Sequence, residues 1–236
     1  MSLIICVHVG EGIVMASDSR ATYGRMKKEE NREIHQIGVH TTDTTDKTFL
    51  CPGNIGISTC GDGSVKGKPI TGYIETFIRE KINTNTDIDT IPDMMINYFG
   101  QFDPVPNTIF FIAGHKKMDS TLQQRFWQVN VKKKEKSLMK TEGQGASWAG
   151  EKDVLSKLIQ PVWERKAEDK FQQIPHSEIS WNFFTLQDAA EFAEYAIKTT
   201  VDTMKFQNRN KTVGGPIDIL ILKPEEAFWL RKKRLG

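Results

Sequence analysis

Residues 12–22 read GIVMASDSRAT, an apolar stretch that ends in an acid, a serine and an arginine. Residues 3–9 before it are β-branched or apolar, and a Gly-Glu-Gly turn at 10–12 joins the two, so they predict a β-hairpin. Two further blocks read STCGDG at 58–63 and TVGGPIDILIL at 212–222. These three blocks, together with Lys47, carry most of the information about fold and function.

The composition is that of an ordinary globular protein. The chain has 236 residues, of which 38% are hydrophobic and 26% charged, and this fits one fairly large domain. No linker or shift in composition interrupts it, so we expect a single domain over 1–236. The net charge of +2 gives no electrostatic reason to expect a nucleic acid or a membrane surface as partner.

The cysteine pattern and the apolar runs indicate a cytoplasmic protein. The chain has three cysteines, an odd count without paired short spacing, which favours neither a disulfide framework nor a tetrahedral zinc site. No apolar run is long enough to cross a bilayer, and the opening segment lacks the basic start of a signal peptide. We therefore expect no metal, no cofactor and no membrane partner.

Hydrophobic periodicity predicts a mixture of strands and helices. Amphipathic patterns predict helices at 69–82, 93–99, 147–160 and 186–204, the last capped by Thr185. Strands are predicted at 3–9, 13–17, 48–51, 55–60, 108–114, 125–131, 137–141, 217–222 and 227–231. Polar and charged residues at 23–46 and 169–181 predict loop insertions, and the basic residues 231–234 predict a solvated tail.

This order of elements predicts an α/β (α+β) fold in which helices cover both outer faces of two stacked sheets, a four-layer αββα sandwich.

The three blocks and Lys47 resemble the proteasome β-type subunits and their bacterial relatives, the N-terminal-nucleophile (Ntn) hydrolases. The resemblance covers nearly the whole chain and implies the same αββα sandwich. It also implies that the first residue of the mature chain is the catalyst. When the family pattern is laid on Gly12, Asp18 and Arg20 without gaps, the nucleophile falls at Ser2, which removal of Met1 would expose.

The chemistry of such a site depends on a free chain terminus. A serine hydroxyl is a weak nucleophile that needs an adjacent base, and an α-amino group has an ordinary pKa of about 7.7–8.0. The resemblance implies that Lys47 lowers the pKa values of the hydroxyl and the amine, that Asp18 pairs with Lys47, and that Arg20 supports Asp18. It also implies that the Gly61 N–H stabilises the oxyanion.

Three supporting positions depart from the family pattern. Gln144 stands between two glycines where the family has a serine that orients the amine. Asn210 and Val213 stand near the positions of a family aspartate and serine. Asn210 carries no charge and Val213 cannot donate a hydrogen bond, so the amine is expected to be less well supported than in the family.

The sequence thus predicts a proteasome-like peptidase that acts on peptides or unfolded proteins, assembles into a ring or helical homo-oligomer, and could be served by an ATP-dependent unfoldase. A non-catalytic ring or scaffold subunit is the main alternative, because the altered positions favour it. An amidase for small molecules is a third hypothesis, since the fold hosts such enzymes.

Overall fold

The computed structural model describes residues 2–29, 32–166 and 170–234 of the chain. Its helices are α1 (Ile70–Lys81), α2 (Ile91–Phe99), α3 (Asp153–Ile159) and α4 (Leu186–Phe206). Its strands are β1 (Leu3–Val9), β2 (Gly12–Ser17), β3 (Ala21–Glu29), β4 (Arg32–Thr42), β5 (Thr48–Cys51), β6 (Ile55–Gly61), β7 (Ser64–Val65), β8 (Lys68–Pro69), β9 (Thr108–Met118), β10 (Thr121–Asn130), β11 (Glu135–Leu138), β12 (Gly145–Gly150), β13 (Trp163–Arg165), β14 (Phe171–Gln173), β15 (Asp218–Leu222) and β16 (Ala227–Arg231).

Two five-stranded sheets dominate the fold. The first has the strand order β12-β1-β2-β15-β16 and the second the order β11-β10-β9-β6-β5. All neighbouring strands in both sheets are antiparallel. The three remaining strand pairs are hairpins, β3-β4, β7-β8 and β13-β14.

Alternation along β1 explains how the first sheet is buried on both faces. Leu3, Ile5 and Val7 pack with residues of α3 and α4, whereas Ile4 and Cys6 pack with side chains of the second sheet. Successive strand residues point to opposite faces, so a continuous apolar run is what a strand between two layers requires. The first sheet therefore separates the α3–α4 side from the second sheet.

The helices pack on both sheets. Helix α4 begins with a capping box in which Thr185 and Asp188 satisfy each other's backbone N–H groups, as the predicted cap requires. Its small residues Ala189, Ala193 and Ala196 lie against β1 and β2. Helices α1 and α2 place aromatic and aliphatic side chains on the second sheet, and Phe77 and Phe99 are fully buried there. The mixed α/β class is confirmed.

Several predicted elements are confirmed, and others differ from the structure. Three of the four predicted helices lie where expected, but the one predicted for 147–160 does not begin until Asp153, because residues 145–150 form the edge strand β12 instead. The predicted loop at 23–46 contains the β3-β4 hairpin. Most of the predicted loop at 169–181 has no regular structure, but it contains the short strand β14, which pairs with β13; Asp169 lies outside the described residues.

The predicted solvated tail at 231–234 is wrong for Lys233, whereas Arg231 and Arg234 are exposed. The side chain of Lys233 is only 6% exposed and is ion-paired with Asp46 and Asp218. A hydropathy pattern does not reveal this, because the acidic partners are distant in sequence. Separately, none of the described helices combines the length with the apolar character that crossing a bilayer requires.

Candidate active site

Asp18, directly after β2, is the centre of a buried polar cluster. Its side chain is fully buried and accepts hydrogen bonds from the backbone N–H groups of Leu3, Arg20 and Gly214 at 3.0, 3.2 and 3.0 Å. The ammonium of Lys47 donates to the same carboxylate at 2.7 Å. Because a buried polar group needs hydrogen-bond partners, this set of donors fixes the Asp18 side chain in position.

Lys47, in the segment between β4 and β5, brings a positive charge into the interior. It is 3% exposed, and besides Asp18 it donates to the carbonyl of Arg20 at 2.5 Å. Burial lowers the pKa of Lys47, and the attraction of Asp18 opposes that effect. A buried, paired cation with a perturbed pKa beside a pocket is a typical feature of functional sites.

Ser2 lies at the start of β1 and opens onto a pocket that it shares with Lys47 and Gly61. The carbonyl of Ser2 accepts a hydrogen bond from the Glu151 N–H at 2.8 Å. A side chain at Gly150 would place a Cβ 1.8 Å from that carbonyl, so a glycine is required for the two strands to meet here. Met1, whose removal the sequence interpretation requires, lies outside the described residues.

Gly61 ends β6 at the edge of the same pocket. Its φ is +119°, and a Cβ there would lie 2.3 Å from the carbonyl oxygen of Asn107. A left-handed backbone angle of this kind favours glycine. The position therefore needs glycine for a structural reason, whether or not its N–H also binds an oxyanion.

Arg20 hydrogen-bonds Asp18 through its backbone N–H, and the charge of its guanidinium also interacts with Asp18. The guanidinium forms two hydrogen bonds to Asp43, Nε–Oδ1 at 2.7 Å and Nη2–Oδ2 at 2.8 Å, and this bonding raises the pKa of Arg20 and lowers that of Asp43. The Gly-Gly bend makes room for the pair: a Cβ at Gly214 would lie 2.6 Å from Arg20 Cζ, and one at Gly215 would lie 2.9 Å from Asp43 Cβ.

Gln144 is not near Ser2, so its predicted supporting role is wrong. It precedes β12, and in the register of β12 with β1, Gly145 pairs with His8 whereas Gly150 pairs with Leu3. Gln144 thus lies at the far end of β1 from Ser2, roughly 20 Å away at about 3.3 Å per residue. The predicted contact of Asn210 is not found either: its side chain is exposed, whereas Val213 is buried in the cluster beneath α4.

A group that the sequence interpretation misses lies beside Ser2 instead. Glu151 is 7% exposed and accepts a hydrogen bond from the Thr212 hydroxyl at 2.7 Å. Arg209 Nη1 lies 3.6 Å from Glu151 Oε2 and 3.0 Å from Asp153 Oδ2. The signal in the sequence is a glycine followed by an acid at 150–151, which the assignment of 147–160 to a helix conceals.

Cys60 is the only thiol among the residues that line the pocket. Burial raises the pKa of Cys60 to about 12, and the nearby Lys47 only partly offsets this. Because the thiolate is the reactive form, Cys60 is unsuited to act as a nucleophile here. Within 2–29, 32–166 and 170–234, no group of three or more His, Cys, Asp or Glu residues could hold a metal ion.

Comparison with known proteins supports the fold at a coarse level. No protein-family model matches the chain, and no curated protein matches it. Similar solved structures include a Gly-1 mutant of Anbu from Hyphomicrobium sp. strain MC1, with 14% identity and a TM-score of 0.61 over 99% of this chain and 86% of that chain. Anbu (ancestral beta-subunit) from Yersinia bercovieri has 14% identity and a TM-score of 0.59 over 97% and 86% of the two chains.

These neighbours correct the family assignment. Anbu is related to the proteasome, but no family model or curated relative supports membership of the proteasome β-type subunits or their bacterial relatives. At 14% identity, the likeness shows the fold and nothing finer. The chain therefore has a proteasome-like fold of the kind seen in Anbu.

Proposed function

We propose that the chain is an N-terminal-nucleophile hydrolase that cleaves peptide bonds with Ser2 after the Met1–Ser2 bond is cut. The observation that supports this most directly is that Ser2 shares one pocket with the buried ammonium of Lys47, which Asp18 holds. In this proposal the two sheets and their covering helices form the four-layer αββα Ntn-hydrolase sandwich, and residues 1–236 form one domain.

The proposed reaction uses two functional groups of one residue. The neutral amine of Ser2 takes the proton from Oγ as Oγ attacks the carbonyl carbon of the substrate, and the Gly61 N–H donates to the developing oxyanion. The amine then passes the proton to the leaving nitrogen, and an ester remains on Ser2. Water, deprotonated by the same amine, hydrolyses the ester and regenerates Ser2.

The cation of Lys47 favours this chemistry electrostatically. A positive charge close to an amine and a hydroxyl lowers the pKa of both, because it stabilises the neutral amine relative to the ammonium and the alkoxide relative to the alcohol. Asp18 keeps Lys47 in place without itself lining the pocket. In the same proposal the substrate is a peptide or an unfolded protein, the chain assembles into a ring or helical homo-oligomer in the cytoplasm, and an ATP-dependent unfoldase could deliver the substrate.

The deciding experiment combines intact-mass spectrometry with a hydroxyl-directed epoxyketone. The native chain should lack Met1, gain the mass of one inhibitor molecule, and cleave a library of fluorogenic peptides. Ser2→Ala should lose both labelling and cleavage, and Ser2→Thr should retain both. Ser137→Ala, a change on the exposed strand β11, is the matched control and should behave like the native chain.

A non-catalytic scaffold subunit is the second candidate, favoured by a specific observation. The two predicted supports for the amine, Gln144 and Asn210, do not contact Ser2, and Val213 is buried in an apolar cluster. A chain that retains Met1 and neither binds the epoxyketone nor cleaves peptides, yet forms a stable oligomer, would establish this candidate and refute the peptidase.

A further inference from the structure

Two lysines that follow the last strand join a partly buried cluster of charges. Beyond β16, Lys232 Nζ lies 2.7 Å from Asp46 Oδ1 and 3.3 Å from Asp218 Oδ2. Lys233 Nζ pairs with the same two carboxylates, at 2.7 Å from Asp46 Oδ1, and the Lys233 N–H donates to Asp218 at 2.7 Å. Asp218 is fully buried, so two cations and two anions form one compensated group.

This cluster touches the candidate active site through Asp46. Asp46 precedes Lys47 in the chain and lines the same pocket as Ser2. Burial alone would raise the pKa of Asp46, but the hydrogen bonds from Lys232 and Lys233 outweigh burial and lower that pKa. The carboxylate next to the proposed nucleophile is thus ionised, and both lysines hold it in ion pairs.

We propose that Lys233, with Lys232, is a positioning residue of the Ser2 site: it neutralises Asp46, so that the positive charge of Lys47 is not cancelled in the pocket. The inference rests on the proposed function for its catalytic meaning. Without the lysines, an unpaired carboxylate would face the pocket that Ser2 lines. It would stabilise the protonated amine, which cannot act as the base.

The charges around the pocket determine the sign of the effect. Lys47 faces Asp18, with Asp43, Cys60 and Lys233 also within electrostatic range. The pocket wall adds Asp46 and Asp62, and Asp62 accepts a hydrogen bond from the Asn107 N–H at 2.7 Å. Removing the charge of Lys233 therefore raises the pKa of the Ser2 amine, and removing the charge of Asp46 lowers it.

The test measures the pKa of the Ser2 amine directly. Chain that begins at Ser2 is treated with a limiting amount of an amine-reactive reagent across a pH series, and N-terminal labelling is read by mass spectrometry, so the measurement does not depend on cleavage activity. Lys233→Met should raise the amine pKa by about half a unit or more, and Asp46→Asn should lower it. The double variant Asp46→Asn/Lys233→Met should return it close to the native value.

In an active chain, the acidic limb of the kcat/KM profile should move with the amine pKa in each variant. Lys133→Met, on the exposed turn between β10 and β11, is the matched control and should shift neither. If Lys233→Met does not fold, Asp46→Asn should still lower the pKa of the Ser2 amine and Lys232→Met should still raise it. An unchanged amine pKa in the folded variants would overturn the proposal. A native chain without cleavage activity, but with the expected shifts, would refute the proposed function alone.

Discussion

At the scale of single residues, the candidate site depends on an ion pair that is buried away from water. Asp18 and Lys47 have side-chain exposures of 0% and 4% and lie 2.7 Å apart. Breaking such a pair by removing one partner leaves the other charge buried and uncompensated. If the proposed function holds, activity and stability are therefore coupled at this pair.

Lys47→Met should separate the contribution of Lys47 to stability from its contribution to activity. We expect a loss of about 3 kcal/mol in the free energy of unfolding, because Asp18 keeps its backbone donors but loses its counter-ion. We also expect at least a roughly 100-fold loss in kcat/KM. Urea unfolding and peptide cleavage measure the two effects. The double variant Asp18→Asn/Lys47→Met should recover much of the stability and none of the activity; a double variant with native activity would contradict the role of Lys47.

Asp89 provides a second, independent test at the residue scale, because its network of ion pairs should make stability depend on pH. It accepts from Arg125 at 2.9 and 2.8 Å, from Lys116 at 2.9 Å and from Trp127 Nε1 at 2.8 Å. Burial alone would raise the pKa of Asp89, but these hydrogen bonds outweigh it and lower the pKa well below the ordinary value of 3.8.

Because the folded-state pKa of Asp89 is depressed, its ionised form stabilises the fold above the unfolded-state pKa, and this stabilisation is lost as the pH falls toward the folded-state pKa. Asp89→Asn should cost about 2 kcal/mol at pH 7. The difference in the free energy of unfolding between the native chain and the variant should decrease steadily below pH 3.8. Denaturant unfolding at a series of pH values tests this, and a difference independent of pH would count against the ion network.

At the scale of elements, the Gly-Gly bend before β15 connects the end of the chain to the Asp18 site. Gly214→Ala should cost about 1–3 kcal/mol, because the new methyl group would displace Arg20 from Asp43. Gly72→Ala is the matched control: a Cβ added at this position on helix α1 would meet no neighbouring atom within 4 Å, and alanine should stabilise that helix by up to about 1 kcal/mol. Relative to the native chain, the midpoint temperature of thermal unfolding should fall for Gly214→Ala and rise for Gly72→Ala.

The elements also show where sequence reasoning succeeds. Strands β1 and β2 and helix α4 carry strong local patterns, a continuous apolar run in the strands and a capped amphipathic face in the helix, and these patterns predict them well. The β3-β4 hairpin and β12 escape prediction, because charged residues in the hairpin and glycines in β12 mask their strand character. When β12 is not predicted, the contact between Glu151 and Ser2 is missed and Gln144 is wrongly placed beside Ser2.

At the scale of the whole molecule, apolar side chains between the two sheets hold the sheets together. Phe126 on β10 is fully buried and packs edge-to-face on Phe111, with ring centroids 5.0 Å apart. Both rings contact the apolar face that β1 and β2 turn toward the second sheet. Phe126→Ala should cost about 3–5 kcal/mol, measured by urea unfolding. Leu122→Ala, an exposed position on the same strand, should change stability little; equal losses would contradict this view of the core.

The mixed α/β class could be inferred from the order of the elements, but the partners within the site could not. Arg20 with Asp43, Glu151 with Thr212 and Lys233 with Asp218 are contacts between segments whose separation in sequence carries no local signal. Their discovery requires coordinates, since charge and polarity alone are equally compatible with solvent exposure.

The N–H of Gly214 that reaches Asp18 comes from 196 positions further along the chain. A growing polypeptide on the ribosome cannot complete the carboxylate's set of donors until residue 214 has emerged, by which time almost every other part of the fold has been synthesised. If the chain cuts peptides, its site is complete only after residue 214 has folded back onto Asp18.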